Sequence, residues 1–222
     1  MRIKFQQSLD GLKERLLVMA GLVEQSIRRA TEAYLTRDIA LCDMVLQSEL
    51  AVNRMEREID LAALDLLATE QPMAVDLRFI IAVTRINSDL ERVGDQAVNI
   101  AQRVLELEGV HNSDLPVDIP ELASLASAMI RKALQSFIEA DADLAQSVLM
   151  LDDQVDEMNN KAFRSLSALI SEKPDMTAQA LNALIVARNL ERVGDHATNI
   201  AEDVIFWVRG ADVRHRATPD AS

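Results

Sequence analysis

Glutamate, aspartate and asparagine stand four residues apart at Glu91, Asp95 and Asn99, and the same three types return one hundred positions later at Glu191, Asp195 and Asn199. On a helix this spacing rotates the three side chains by only about 80° in all, so their oxygens leave one side of the cylinder in successive turns. Leu90, Val93, Ala97 and Ile100 fall on the far side, which predicts a core-facing stripe opposite a carboxylate stripe that faces water. A single such pair reads most simply as a solvated helix face. Like charges at i,i+4 destabilise a helix by about 0.2–0.5 kcal/mol, however, and their retention in both copies points to a cation that offsets the repulsion. The flanking residues agree too: LERVGDQAVNIA (90–101) and LERVGDHATNIA (190–201) are identical at ten of twelve positions. That period is the length of a duplicated domain.

Alignment of the two halves extends the acidic set. An offset of 103 lays Met19, Leu22, Ile27, Arg28 and Ala30 on Leu122, Leu125, Ile130, Arg131 and Ala133, and it lays Glu49 and Asn53 on Asp152 and Asp156. Each half therefore carries one acid-x-x-x-acid or amide pair on its second helix and another on its third. Antiparallel neighbours joined by a short turn bring the two pairs side by side. The candidate ligands are Glu49, Asn53, Glu91, Asp95 and Asn99 in the first half, and Asp152, Asp156, Glu191, Asp195 and Asn199 in the second. Oxygen-only sets suit magnesium, calcium, manganese or ferric iron, and carboxylates can bridge more than one ion. With one cysteine and three histidines in the chain, a finger-like structural zinc site is excluded.

The elements that must position these residues are helices. Aromatic residues make up only 3% of the chain, which favours cores packed from aliphatic side chains on helices over sheets. Apolar steps of three and four run from Leu9 to Tyr34, ending near Arg37. Asp38 suits the N-cap of a second helix running past Leu66, and Pro72 suits the first turn of a third that reaches about Glu108. After a linker rich in Gly, Asn, Ser and Pro at 109–120, the order repeats with a fourth helix, a fifth from about Asp143 and a sixth after Pro174. The fold expected is all-α, two tandem similar three-helix bundles: residues 1–112, residues 113–210, and a C-terminal tail, 211–222, with little order, after Gly210 stops the last helix. The offset falls to 100 at the repeated motif, which predicts a turn three residues shorter between the second and third helices of the second half. Residues 4 to about 18 have no counterpart later and are expected to cover the second bundle or a partner.

Residues beside the acids carry plainer readings. Arg92 and Arg192 are expected to pair with the carboxylates, and His196, which replaces Gln96, is expected to be an incidental surface histidine. Gly94 and Gly194 each cost about 1 kcal/mol in mid-helix, so either a neighbouring helix approaches closely or a ligand needs the room; close packing is the simpler account.

The formal charge of −13 repels nucleic acid, and no Lys/Arg cluster offsets it. Cys42 cannot form an internal disulfide and reads as a small buried hydrophobe in a reducing compartment. No run of eighteen apolar residues and no apolar N-terminal signal region occur. A cytoplasmic chain without membrane insertion is expected.

At these residues the chain resembles the PhoU family of phosphate-signalling proteins. The resemblance rests on the duplicated LERVGD with its trailing Asn-Ile, on QPMAVDLR (71–78), on Val52-Asn53 and Val155-Asp156, and on Asp212-Val213-Arg214-His215. It covers essentially the whole length. It implies two three-helix bundles whose acidic motifs bind metal in surface clusters, iron first, with zinc, manganese or magnesium as alternatives. The acidic motif stands intact at Glu91/Asp95, Glu191/Asp195 and Asp152/Asp156; at Glu49/Asn53 its last position is an amide. The resemblance further implies a non-enzymatic homodimer, peripheral at the inner face of the membrane through its partners. Those partners are the ATPase of the phosphate ABC transporter and a sensor histidine kinase, which the protein holds inactive when phosphate is plentiful.

Beside that reading stand a purely helical interaction module, with the same fold and no metal, and two further alternatives. One keeps the fold and the metal but serves a different phosphate carrier. The other is a carboxylate-bridged di-iron oxidase, a class that places Glu-x-x-His pairs inside a four-helix bundle, whereas the acids here lie opposite the apolar face. If the stripe serves a ligand and not the fold, Glu91→Ala with Asp95→Ala will leave helical circular dichroism unchanged while bound metal falls; loss of the helical signal would make the stripe structural.

Overall fold

Apolar residues at helical spacing form long rods, and aspartates fix where three of them begin. The computed structural model describes residues 2–107, 109 and 114–213, with side chains from residue 4 onward. The expected boundary at 112/113, Arg214 and His215 of the family-like run, and the rest of the tail from 214 lie outside the described residues. The helices are α1 (Arg2–Thr36), α2 (Ile39–Glu70), α3 (Val75–Glu106), α4 (Ile119–Glu139), α5 (Ala142–Leu149), α6 (Asp152–Glu172) and α7 (Thr177–Arg209), with a single 3-10 turn at Pro174–Met176. Among the described residues there is no strand. The Asp38 carboxylate accepts from the amides of Ala40 and Leu41 at 2.8 and 3.3 Å, Asp118 caps α4 through Glu121, and Asp141 caps α5. Each satisfies amides that the first helical turn leaves without partners.

Three local expectations need correction. The fifth helix is broken at Met150–Leu151, and the chain restarts at α6 with Asp152 and Asp153 in its first turn, where the helix dipole favours acids. Pro72 precedes α3 and does not open it: Gln71 and Ala74 both take positive φ, 47° and 46°, to turn the chain before Val75. The three-residue difference between halves is taken from helix ends. The connections, 71–74 and 173–176, are equally long, while α6 stops one position early and α7 starts two late relative to the first half. Gly210 does stop α7, at φ 69° with its amide donated to the Phe206 carbonyl.

Helices α1–α3 form one bundle and α4–α7 the other, and the two share a long seam in which α3 lies along α7 and α1 against α4. Both central helices are buried on several sides. In α3, Ile80, Val83, Ile86, Leu90, Val93, Ala97 and Ile100 are wholly inaccessible, and in α7 so are Val186, Leu190, Val193, Ala197 and Ile200. At one end the seam is closed by three rings: Phe79 stacks on Phe137 with centroids 5.9 Å apart, and Trp207 meets both edge-on or tilted at 5.0 and 5.4 Å. Such pairs add about 0.5–1.5 kcal/mol each beyond the area they bury. Arg78 of the QPMAVDLR run donates to the Trp207 carbonyl at 3.2 Å, and Arg85 pairs with Asp203 at 3.0 Å. The α1 extension does reach the second half: Lys13 donates to the Ile138 carbonyl at 2.8 Å, and Leu9, Leu12 and Leu16 are buried.

The glycines of the repeated motif mark where helices approach. A Cβ at Gly94 would lie 3.5 Å from Val52 Cγ1, and one at Gly194 would lie 3.3 Å from Val155 Cγ1 and 3.6 Å from Met129 Sδ. The equivalent valine closes on the equivalent glycine in each half, so close packing accounts for both. Gly94→Ala meets ordinary van der Waals distances and will raise stability by up to about 1 kcal/mol through helix propensity. Gly194→Ala will gain less because Val155 must yield. Leucine at either position will cost about 1–3 kcal/mol by overpacking, measured by urea denaturation.

Candidate metal centre

The glycine contacts also set the register of the acids. Val52 precedes Asn53 and Gly94 precedes Asp95, so the approach of α2 to α3 lays the two polar faces together; Val155 with Asp156 and Gly194 with Asp195 repeat this between α6 and α7. Asn87 confirms the antiparallel register, donating 2.9 Å bonds to the Glu56 carbonyl and to Asp60 Oδ1.

In the second half Asp156, Glu191 and Asp195 place one carboxylate oxygen each within 4.8 Å of one another, the one carboxylate group of that kind among the described residues. Glu191 is 6% exposed. One of its oxygens accepts from Arg188 at 2.5 Å, and the other, Oε2, is buried without a hydrogen-bond partner. Asp152 borders the group and accepts from Thr198 Oγ1 at 3.2 Å. Burial first, then the neighbouring carboxylates, push Glu191 and Asp195 above the usual carboxylate range, although Arg188 and Arg192 pull the other way. Asp152 is raised by burial despite the Thr198 hydrogen bond. An unpartnered buried carboxylate oxygen beside two further carboxylates is costly as it stands and is the donor set that a hard cation satisfies.

The first half is built differently. Glu91 is raised by burial and then by Asp95, Glu56 and Glu49, and Asp95 is raised by burial against the opposing influence of His196. Asn53, where the second half has Asp156, keeps a buried Oδ1 without a partner. Glu56, absent from the sequence-based set, is itself raised by burial and then by Asp60. Its position was legible, because Glu49, Asn53, Glu56 and Asp60 follow one another at steps of four, three and four and share one helix face.

Three sequence expectations are revised by position. The acids face water only in part: Asp156 and Asp195 are exposed as expected, whereas Glu191 is buried and Glu91 and Asp95 are half-buried, because α6 and α2 lean over the stripes of α7 and α3. His196 is not incidental. Its Nδ1 lies 2.8 Å from Asp89 Oδ1, and Asn199 donates to the same oxygen at 3.1 Å, so both tie α7 to α3 across the seam and Asn199 is spent there. The duplicated positions hold Asn189 and Gln96, so the seam pair has diverged together, and no single-copy pattern signals it. Arg92 and Arg192 make no ion pair within 4.0 Å among the described residues; Arg188 is the partner of Glu191. Asn99 is half-buried beside Asp95 on the same face of α3. The chain's single Glu-x-x-His spacing, at 108–111, falls outside the described residues.

No helix among the described residues is long and apolar enough to cross a membrane. A groove of about 790 Å³ between α1 and α4 has Val93 and Val193 in its lining but none of the candidate ligands.

Comparison with known proteins agrees with this architecture. The PhoU domain matches twice, over residues 16–104 and 119–204. The phosphate-specific transport system accessory protein PhoU homolog of Pseudomonas aeruginosa is 40% identical over 215 residues, 96% of this chain and 88% of the relative. The phosphate-specific transport system accessory protein PhoU of Escherichia coli is 32% identical over 212 residues, again covering 96% and 88%. The crystal structure of PhoU from Pseudomonas aeruginosa superposes with a TM-score of 0.90 at 39% identity, covering 93% of this chain and all of that one. The phosphate transport system regulatory protein PhoU from Streptococcus pneumoniae gives 0.83 at 26% identity, covering 94% and 99%. With both repeats matched and relatives of this identity aligned along nearly its full length, the chain belongs to the PhoU family.

Proposed function

We propose that this chain is a non-catalytic accessory regulator of phosphate uptake whose two acidic sets hold oxygen-seeking metal ions, iron first among them. The observation that carries the metal reading is Glu191: a buried carboxylate with an unpartnered oxygen, within 4.8 Å of Asp156 and Asp195. Bound there, a cation would supply the positive charge that three crowded carboxylates lack. Asp156, Glu191 and Asp195 would hold it, with Asp152 at the edge. In the first half Glu91, Asp95 and Glu49 would do so, with Glu56 making up for the amide at Asn53.

The pathway rests on kinship. Relatives named as accessory proteins of the phosphate-specific transport system support a role at that transporter. In this reading the chain, as a homodimer, couples the transporter ATPase to a sensor histidine kinase and restrains both when phosphate is plentiful. A pull-down from membranes at high and low phosphate tests it: recovery of the transporter ATPase and the kinase supports the assignment, and recovery of a different phosphate carrier alone overturns it.

Two outcomes check the metal centre. The raised carboxylates hold more protons in the folded than in the unfolded chain, so their contribution is fully present below the ordinary carboxylate range and is lost as pH rises through their raised values. The metal-free chain will therefore melt at a lower temperature at pH 7 than just above the ordinary carboxylate range, and saturating metal will flatten that slope. Asp156→Asn, Glu191→Gln and Asp195→Asn combined will melt higher than the wild type when both are metal-free, because the repulsion is gone. The same variant will lose the stabilisation of about 2.7 kcal/mol expected at a hundredfold excess of metal over its Kd. A variant that keeps its metal content on elemental analysis would remove these three residues from the site.

A further inference from the structure

Between the two repeated motifs lies a cleft of about 620 Å³ whose lining includes Arg92 and Arg192, the same position of each copy, together with Gln96, Asp152, Asp195 and His196. Both arginines are exposed. Neither guanidinium makes a hydrogen bond or an ion pair within 4.0 Å among the described residues, although acids stand next to each in sequence; the Arg92 carbonyl accepts from Gln96 Nε2. Several nearby anions are engaged by hydrogen bonds, Glu191 with Arg188, Asp89 with His196 and Asn199, and Asp152 with Thr198, whereas Glu91 and Asp195 feel Arg92 and Arg192 only through space. Two guanidinium forks, brought from opposite halves to one cleft with their N–H groups free of hydrogen bonds among the described residues, match the needs of a tetrahedral oxyanion, which accepts paired N–H donors along its edges. Gln96 adds unspent capacity: it is 7% exposed, and its Oε1 has no hydrogen-bond partner, so it can accept from the hydroxyl of a monohydrogen phosphate.

The same cleft contains a reason for such an anion to stay away. Asp152 and Asp195 also line it, and Asp195 belongs to the carboxylate triad. While those charges stand alone, an approaching dianion meets repulsion comparable to the attraction of the arginines. A di- or trivalent cation on the triad reverses that balance and can offer an open coordination position to a phosphate oxygen, a hard donor of the type such ions prefer. We propose that this cleft binds inorganic phosphate between Arg92 and Arg192, and does so only when the adjoining carboxylates hold their cation. The inference rests on the metal reading above and adds the ligand to which a loaded centre responds. Phosphate then bridges α3 and α7, the two helices through which the halves meet, so occupancy is felt along the seam.

Equilibrium dialysis of labelled inorganic phosphate against the full chain tests this, with the chain either stripped of metal or loaded with Mn(II) and its manganese counted by elemental analysis. The loaded chain is expected to bind phosphate at least tenfold more tightly than the stripped chain. Arg92→Gln with Arg192→Gln is expected to retain the manganese but weaken phosphate binding by about tenfold or more per guanidinium removed, the usual scale of a charge-assisted hydrogen bond. Both arginines are exposed and unpaired, so the variant should fold, which its helical circular dichroism and manganese content verify; Lys at both positions, keeping charge without the fork, should fall between. Equal phosphate binding by the wild type and the glutamine variant, or none by the manganese-loaded chain, overturns the anion site while leaving the metal centre standing. A chain that takes up no manganese or other cation overturns the metal reading first and the phosphate-bound state with it.

Discussion

The contact on which the rest of this structure depends is the approach of a valine to a glycine, made twice. Val52 against Gly94 and Val155 against Gly194 bring α2 and α6 so near their central helices that a Cβ would sit at or inside contact distance. In each case the next residue along both helices is an acid or its amide. Helix propensity alone argues against glycine there by about 1 kcal/mol. What the chain gains is a register in which polar faces of two antiparallel helices meet at short range. A packing glycine and a ligand-site glycine are not alternatives on this geometry, since close packing is the means by which the candidate ligands are brought together.

That assembly is electrostatically unfavourable by itself. Central helices covered on several sides have little water to offer their polar stripe, so burial is the first cause of every raised carboxylate in the two sets, with mutual repulsion behind it in most. Arg188 relieves one oxygen of Glu191 and leaves the other bare. A fold that keeps such groups partly out of water and near one another stores a demand for positive charge, which a cation bound as proposed would answer more completely than a flexible surface arginine.

The two halves answer the demand unequally. The second gathers three carboxylates within 4.8 Å and starts α6 afresh so that Asp152 stands in a first turn. The first runs α2 unbroken, has an amide at Asn53, and draws in Glu56 and Asp60 from further along the same face. Across the seam the divergence is paired: Asp89 with His196 at one set of positions, Asn189 and Gln96 at the positions that the repeat makes equivalent. Duplication supplied a symmetric frame, and the joint between halves has specialised within it.

Much was legible from residue order. The period of apolar residues determines that these segments are helices, the Asp38 cap and the Gly210 stop fix two of their ends, and the repeat determines that there are two bundles with matching acidic stripes, because each depends on neighbours within a few turns. The break at Met150–Leu151 was not legible, since it carries neither proline nor glycine. Tertiary structure alone decided which way the stripes point. A helical wheel knows one apolar side, whereas α3 and α7 each pack against several helices, so part of the expected outer face, Glu191 above all, lies beneath a neighbour while Asp195 and Asn199 stay exposed. It likewise decided the partners of His196 and Asn199, which lie over a hundred positions away, and the burial of Glu191, which a neighbouring helix supplies; neither is a property of local spacing.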